Sequence, residues 1–414
     1  MNGQIRKRGT RKDGSTRWEA RYWDRMNSGT RHQKMFRTRT EAQDWLTSQQ
    51  HSQLTGTHIP PATQQITYTS VADAWRTTWL DLEPKTKLGN EQILANHLLP
   101  EFGTTKISAI TPQRVQAYIT RLSQPPANPS PSGGKALAPG TVRNIYAALR
   151  ASLNTAVRLR MIHSNPCQHV KLPRSPKEQQ IILTPGEVAH LAKEISTNQR
   201  TEQYGVMVLV AAYTGLRAGE LLALRRQDVD LLRGRITVSR ALKDIHGRFA
   251  SDNPNSGIQR GMLFGPTKSH ATRTIVLPRF LTQVLNDYLS HPLPSGSSSE
   301  ALIFPDTIGG PLRHNNFYRR HFKPAVLRAL PPEKQAFTFH CLRHTCASLL
   351  IEQGVHARAI QEQLGHSSIL VTMGTYGHLM DSAYESTASA LDAAYTQSQQ
   401  PDNVVELRAE SAAQ

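Results

Sequence analysis

Apolar residues recur at helical spacing through most of this chain and give way to alternation in only a few short stretches. The periodicity predicts helices over 70–82, 86–99, 111–122 and 139–160, the third opened by Thr111-Pro112, a strong start signal. The helix over 139–160 buries Val142, Ile145, Leu149, Leu153 and Val157 and leaves Arg143, Arg150, Arg158 and Arg160 outside. Thr184-Pro185-Gly186-Glu187 has capping-box spacing and opens helices over 184–197 and 201–214, the second apolar enough to be buried. Stretches 235–240 and 272–277 alternate like paired strands, and the polar run 244–265 between them is longer than a tight hairpin needs. Helices resume over 278–290, 315–330, 338–352, 357–364 and about 369–378, and an amphipathic segment covers 382–395.

The first fifty residues differ from the rest. Stretches 16–25 and 30–37 have the aromatic, alternating content of short strands, with Asn27-Ser28-Gly29 as their turn, and a short helix follows with Thr40 as its cap. Interleaved Trp18, Tyr22 and Trp23 argue for a small folded module rather than a merely solvated basic segment. Such a sheet backed by one helix can place Arg17, Arg21, Arg31 and Lys34 beside a duplex. Polar linkers at 51–66 and 171–180 divide the chain, and 125–138, rich in Pro, Gly and Ser, reads as a mobile loop.

Composition narrows the partner. At 414 residues the chain can hold two or three domains. Its 49 Lys and Arg against 31 Asp and Glu, a formal +18, favour a polyanion, nucleic acid before membrane. Charge of this kind says nothing about sequence choice or catalysis, because phosphate contacts position and base contacts specify. No segment approaches the roughly 20 apolar residues of a membrane span. Three cysteines, Cys167, Cys341 and Cys346, are too few for a disulfide framework, and no apolar N-terminal run suggests a signal peptide. The expectation is a reduced, soluble, cytoplasmic protein.

The chemistry gathers in 338–378, TFHCLRHTCASLLIEQGVHARAIQEQLGHSSILVTMGTYGH. With Thr338 as N-cap, His340 and Arg343 lie three apart on one helix face near its positive end, where a phosphate is attracted and a guanidinium fork can bind two of its oxygens. His366 follows a Leu-Gly turn, and Tyr376 lies near Gly374 and Gly377. Two further motifs stand upstream, TGLRAGELLAL at 214–224, where Gly215 and Gly219 describe a tight turn that aims Arg217, and TKSHATRTI at 267–275. Glu220 reads as a helix-start charge. Zinc on His340, Cys341, His344 and Cys346 is the bland rival, but Cys341 and Cys346 leave the face that carries His340, so no metal site is expected.

Together these motifs resemble the catalytic domain of the tyrosine recombinases, the phage-integrase family. Its pattern of arginine in a Gly-Leu-Arg-x-Gly-Glu turn, lysine on a β-hairpin, His-x-x-Arg, Leu-Gly-His and tyrosine falls in order on Arg217, Lys268, His340, Arg343, His366 and Tyr376. The resemblance implies a mainly α fold with small β elements (α+β). Its parts would be an arm-type DNA-binding module over 1–60, a helical SAM-like core-binding domain over 66–172, a catalytic domain over 180–395 and a polar tail over 396–414. It also implies that Arg143 and Arg150 face DNA.

The resemblance implies site-specific cutting and rejoining of DNA through a 3′-phosphotyrosine at Tyr376, with no cofactor, metal or ATP. Arginines can supply the charge that phosphoryl transfer requires, since they never deprotonate and their forks match phosphate. Lys268 is the candidate acid for the leaving 5′-oxygen, and His340 and His366 share the remaining proton transfer and hydrogen bonding, which the residues alone do not separate. Implied partners are double-stranded attachment-site DNA, a homotetramer in the synaptic complex, a directionality factor and a host DNA-bending protein, all on the nucleoid of a bacterial host. The rivals are relaxation of DNA in the manner of a type IB topoisomerase and a non-catalytic architectural protein.

Overall fold

The computed structural model describes residues 3–10, 16–23, 31–55, 65–125, 136–174, 180–197, 201–245, 258–259, 261–268, 271–366 and 368–370, with 391–392 and 395–396. The chain divides into two compact units, Met1–Lys177 and Glu178–Gln414. Residues 126–135, 246–257 and 371–390, which include the expected mobile loop, most of the long polar run, Tyr376 and most of the last two expected helices, lie outside the described residues.

The first unit opens on an antiparallel sheet of β1 (Gln4–Thr10), β2 (Thr16–Trp23) and β3 (Arg31–Phe36), in that order. β1 was not anticipated, because its run of Arg and Lys hides the alternation. Helix α1 (Arg39–Leu54) packs on one face, with the Trp45 ring 5.4 Å from Tyr22 and 5.5 Å from Phe36. Its cap is Thr38 rather than Thr40. The Thr38 hydroxyl accepts from the Glu41 amide while the Glu41 carboxylate accepts from the Thr38 amide, a reciprocal arrangement that starts the helix at Arg39 and leaves Thr40 inside its first turn.

Strand register sorts the basic residues of this module. Trp18 faces Phe36, Ala20 faces Lys34 and Tyr22 faces His32, so these six share the side that α1 covers. Lys34, exposed, therefore stands on the other face of the sheet from the remaining three. Arg17, Arg21 and Arg31 lie on the open side, joined there by Arg6 opposite Glu19. Arg21 is nevertheless buried at 8% exposure, because its guanidinium pairs with the Glu19 carboxylate at 2.7 Å, and Arg8 reaches the same carboxylate. Arg17 and Arg31 are the two expected cations that are both open-faced and exposed.

The same unit continues through α2 (Tyr68–Arg76), α3 (Pro84–Ile93), a π turn over Leu94–Leu98, α4 (Leu99–Phe102), α5 (Pro112–Leu122) and α6 (Pro139–Arg158). Their apolar faces close on Tyr68, Val71, Trp75, Leu98, Phe102, Ile119, Ile145 and Leu149. The first helix stops six residues before the expected end. Thr77 and Thr78 turn their hydroxyls back to the carbonyls of Ala74 and Trp75, and the chain then leaves the helix. Along α6, Ala156 is fully buried and Val157 only half, a small rotation of the expected face. Arg143 and Arg150 are both exposed, and Arg143 also donates to the Pro173 carbonyl at 3.0 Å.

In the second unit α7 (Pro185–Ile195), capped by Thr184 and Glu187 as its spacing indicates, packs on α8 (Glu202–Thr214), whose residues are buried almost all round. A one-turn helix α9 (Ala218–Leu221) leads into β4 (Val229–Asp230) and β5 (Arg235–Val238), then β6 (Arg240–Asp244), β7 (Ile258–Gln259), β8 (Met262–Pro266) and β9 (Arg273–Val276). β5 pairs with β9 as the alternation suggests, but the intervening run is strand in part: β8 pairs with β6 and with β7 to make a second small sheet. α10 (Arg279–Ser290) and α11 (His314–Phe317) follow, and a π turn over Tyr318–Phe322 joins α11 to α12 (Lys323–Ala329). α13 (Cys341–Glu352) and α14 (Ala357–Leu364) come next. Phe339 lies edge-on to Phe317 at 5.6 Å and to Phe322 at 5.2 Å, which fixes the residue before His340 in the core.

Candidate active site

α8 ends because Gly215 takes φ +69°, a left-handed conformation that costs glycine little. Two residues on, Arg217 precedes α9, and its amide and Nη1 donate to the Glu220 carboxylate at 3.1 and 2.9 Å. Gly219 lets this turn lie against β6, since a Cβ there would sit 2.7 Å from the Leu242 carbonyl oxygen. Arg217 Nη2 donates to the Gly365 carbonyl at 3.1 Å. The arginine motif and the Leu-Gly-His motif, 148 residues apart, thus meet.

Arg343 completes the junction. Only 3% exposed, it donates from Nη1 to the carbonyls of Gly215 at 2.8 Å and Leu364 at 2.7 Å. The turn it grips is held again by Gln361, whose side-chain amide donates to the His366 carbonyl while its own carbonyl accepts from the His366 amide. Thr338 does not cap α13. It makes a tight turn that receives the Cys341 amide at 2.9 Å, so the helix begins at Cys341 with His340 at its cap position. His340 and Arg343 still sit at its N-terminal end, where phosphate is favoured.

The histidines are held neutral. Burial, then Arg343 and Arg217, push His340 below the ordinary histidine range. His366 falls to about 4 through burial and through Arg343, Arg217, His344 and Arg273. His344, whose ring stands perpendicular to that of His340 at 5.0 Å, falls to about 4 through burial, His340 and Arg343. At pH 7 these rings offer a lone pair as well as an N–H, the state a proton acceptor requires.

Two participants escaped the sequence. Arg273, on β9, donates to both Glu220 oxygens, at 3.2 and 2.7 Å, and from Nε to the Gln363 carbonyl at 3.2 Å. Glu220 is more than a helix-start charge. It is 1% exposed, and although burial alone would raise its pKa, the Arg273 hydrogen bonds and charge, with those of Arg217, hold it below the usual carboxylate range. Arg273 gave one weak signal, an arginine on the same strand as the buried Ile275. Lys268 is exposed on the connection from β8 to β9, which belong to different sheets and so form no hairpin with each other. Among the described residues no group of three His, Cys, Asp or Glu is placed to hold a metal.

The phage integrase family model matches residues 182–383, and the family's N-terminal SAM-like domain matches 67–123. The chain belongs to the phage integrase family. Its enzymes are tyrosine recombinases, which transfer DNA strands in site-specific recombination. Among similar proteins, a prophage phiRv2 integrase of Mycobacterium tuberculosis is 27% identical over 88% of this chain and 91% of its own length. The integrase of Mycobacterium phage D29 is 25% identical over 81% and 83%. The fold of this integrase is that of the Tn1549 transposon integrase solved with a circular-intermediate DNA, at 20% identity and a TM-score of 0.64 over 79% of this chain and 99% of that one. A lambda integrase dimer on a core site matches with a TM-score of 0.52 at 18% identity, over 90% and 94%. No helix among the described residues is long and apolar enough to cross a membrane.

Proposed function

We propose that this integrase joins Tyr376 to a DNA 3′-phosphate and passes the strand to a new 5′-hydroxyl, integrating or excising a phage or other mobile element. The observation that carries the reading is the convergence of Arg217, Arg343 and the His366 turn, tied by hydrogen bonds of 2.7–3.1 Å across three distant segments. Arg217 and Arg343 place positive charge where the non-bridging oxygens of a scissile phosphate would lie, which is the largest need of phosphoryl transfer. His340 accepts the Tyr376 proton, His366 donates to a non-bridging oxygen, and Lys268 protonates the leaving 5′-oxygen once DNA brings its connection to the site. A phosphotyrosyl ester is close in energy to the diester it replaces, so the step reverses without ATP.

The substrate is double-stranded DNA carrying attachment sites, and exchange between two duplexes requires four active sites, hence a homotetramer on DNA. A structural relative, lambda integrase, has been solved as a tetramer on a Holliday junction. The open face of the N-terminal sheet, with Arg6, Arg17 and Arg31, supports DNA binding by that module, and Arg150 supports it on the helical domain. A directionality factor and a host DNA-bending protein would be its accessory partners. The test is a denaturing gel after incubation of wild type and Tyr376→Phe with nicked junction duplexes. A covalent adduct with wild type alone is expected. Tight, specific binding of a verified site with no adduct would overturn the nucleophile assignment and favour an architectural role.

A further inference from the structure

Glu220 puts a buried negative charge beside Arg217, the group expected to meet the scissile phosphate. Paired with Arg217 alone, that carboxylate would cancel the charge the reaction needs. Arg273 alters the balance. Its two terminal nitrogens approach both carboxylate oxygens, at 3.2 and 2.7 Å, so the acid is matched by a second guanidinium arriving 53 residues later in the chain. Two arginines against one carboxylate leave one net positive charge at Arg217. Of the two guanidinium groups Arg273 has the bidentate one, since both of its terminal nitrogens reach the carboxylate while the Arg217 guanidinium sends Nη1 there, beside its backbone amide, and turns Nη2 to the Gly365 carbonyl.

Arg273 is placed to do more than neutralise. Its Nε donates to the Gln363 carbonyl, and a Cβ on Gly365 would lie 2.9 Å from its Nη1, so the guanidinium lies flat against the turn that presents His366. Its Nε and both terminal nitrogens are committed to the Gln363 carbonyl and to Glu220, so Arg273 acts on its neighbours rather than on a phosphate. Its strand is also the one entered from the Lys268 connection.

We infer that Arg273 is a positioning residue for strand cleavage: by taking up the charge of Glu220 it leaves the Arg217 cation to the phosphate, and by gripping the 363–365 turn it sets His366. The inference rests on the recombinase reading above, and it separates charge from scaffolding. If charge balance is the main role, removing the acid together with its counterion restores Arg217. If Arg273 only holds the fold, removing both partners does no better than removing one.

The experiment compares wild type, Tyr376→Phe, Arg273→Gln, Arg273→Lys and the double variant Glu220→Gln/Arg273→Gln, each for melting temperature, equilibrium binding to junction DNA and rate of covalent adduct formation. Arg273→Gln is expected to bind DNA within about threefold of wild type and to cleave about 100-fold more slowly, the scale of losing one electrostatic stabiliser. Arg273→Lys, which keeps the charge without the fork, falls between them. The double variant regains about tenfold or more over Arg273→Gln, the sign of coupling between two groups in contact. A folded Arg273→Gln that cleaves within about threefold of wild type, or a double variant no faster than the single, overturns the inference. Should Arg273→Gln not fold, the double variant decides. Cleavage within about tenfold of wild type supports the inference, and a folded, DNA-binding double variant slowed beyond about 100-fold overturns it. Absence of an adduct with wild type would instead count against the recombinase reading.

Discussion

Arg343 donates from Nη1 to the Leu364 carbonyl at 2.7 Å, joining the start of α13 to the turn that carries His366. The same nitrogen reaches the Gly215 carbonyl, so one buried guanidinium gathers three segments that the sequence keeps far apart. Structure and chemistry are therefore coupled at this side chain.

Arg343→Ala should accordingly impair both. Two buried carbonyls would lose their donor, each costing about 1–3 kcal/mol, and adduct formation should fall by about 100-fold or more. Thermal melting with a cleavage assay reads both effects. An alanine variant that melts like wild type would show that water or neighbouring groups replace the guanidinium.

Gly219→Ala tests how tightly the arginine turn is seated. The added Cβ would meet the Leu242 carbonyl oxygen at 2.7 Å, and that oxygen belongs to a paired strand that yields little. A destabilisation of about 1–3 kcal/mol is expected, with slower cleavage as Glu220 and Arg217 shift. Unchanged melting would mean that α9 and β6 can separate freely.

The site histidines make stability depend on acid. His344 and His366 titrate near 4 in the folded chain against an ordinary 6.5, so below about pH 6.5 the unfolded chain binds protons that the native one refuses. Stability is full above that value and is lost as the pH falls towards 4. Melting temperatures measured from pH 7.5 to 4.5 should drop for wild type and drop less for His344→Gln. A parallel decline in both proteins would place the titration elsewhere.

For the N-terminal module, Arg31→Ala should weaken DNA binding about equally across sequences and lower the slope of log affinity against log salt by about one. Lys34→Ala should do less, because strand register puts Lys34 on the side that α1 covers. Equal losses would remove the open face as the binding surface.

Much of the architecture was legible because it is written locally. The periodicity over 139–160, the Thr184–Glu187 box and the alternation of 235–240 with 272–277 each depend on residues a few positions apart, and the elements form close by, at 139–158, 185–195, 235–238 and 273–276. Local signals failed where two plausible signals competed. Thr40 and Thr38 are both reasonable caps, and only Thr38 finds Glu41 three residues on. Thr338 looked like a cap for α13, but packing of Phe339 among Phe317 and Phe322 sets the helix start at Cys341 instead.

By itself the sequence determined the chemical inventory of this integrase: arginines, histidines and a tyrosine in an order that admits phosphate chemistry, on a mainly helical chain with a strong positive charge. The tertiary structure decided which charges meet. It buried Glu220 between Arg217 and Arg273, turned Arg21 inward to Glu19 and set Lys34 on the opposite side of its sheet from Arg17 and Arg31. Ion pairs across 53 residues and hydrogen bonds across 148 depend on how distant elements pack, and no spacing along the chain encodes that distance.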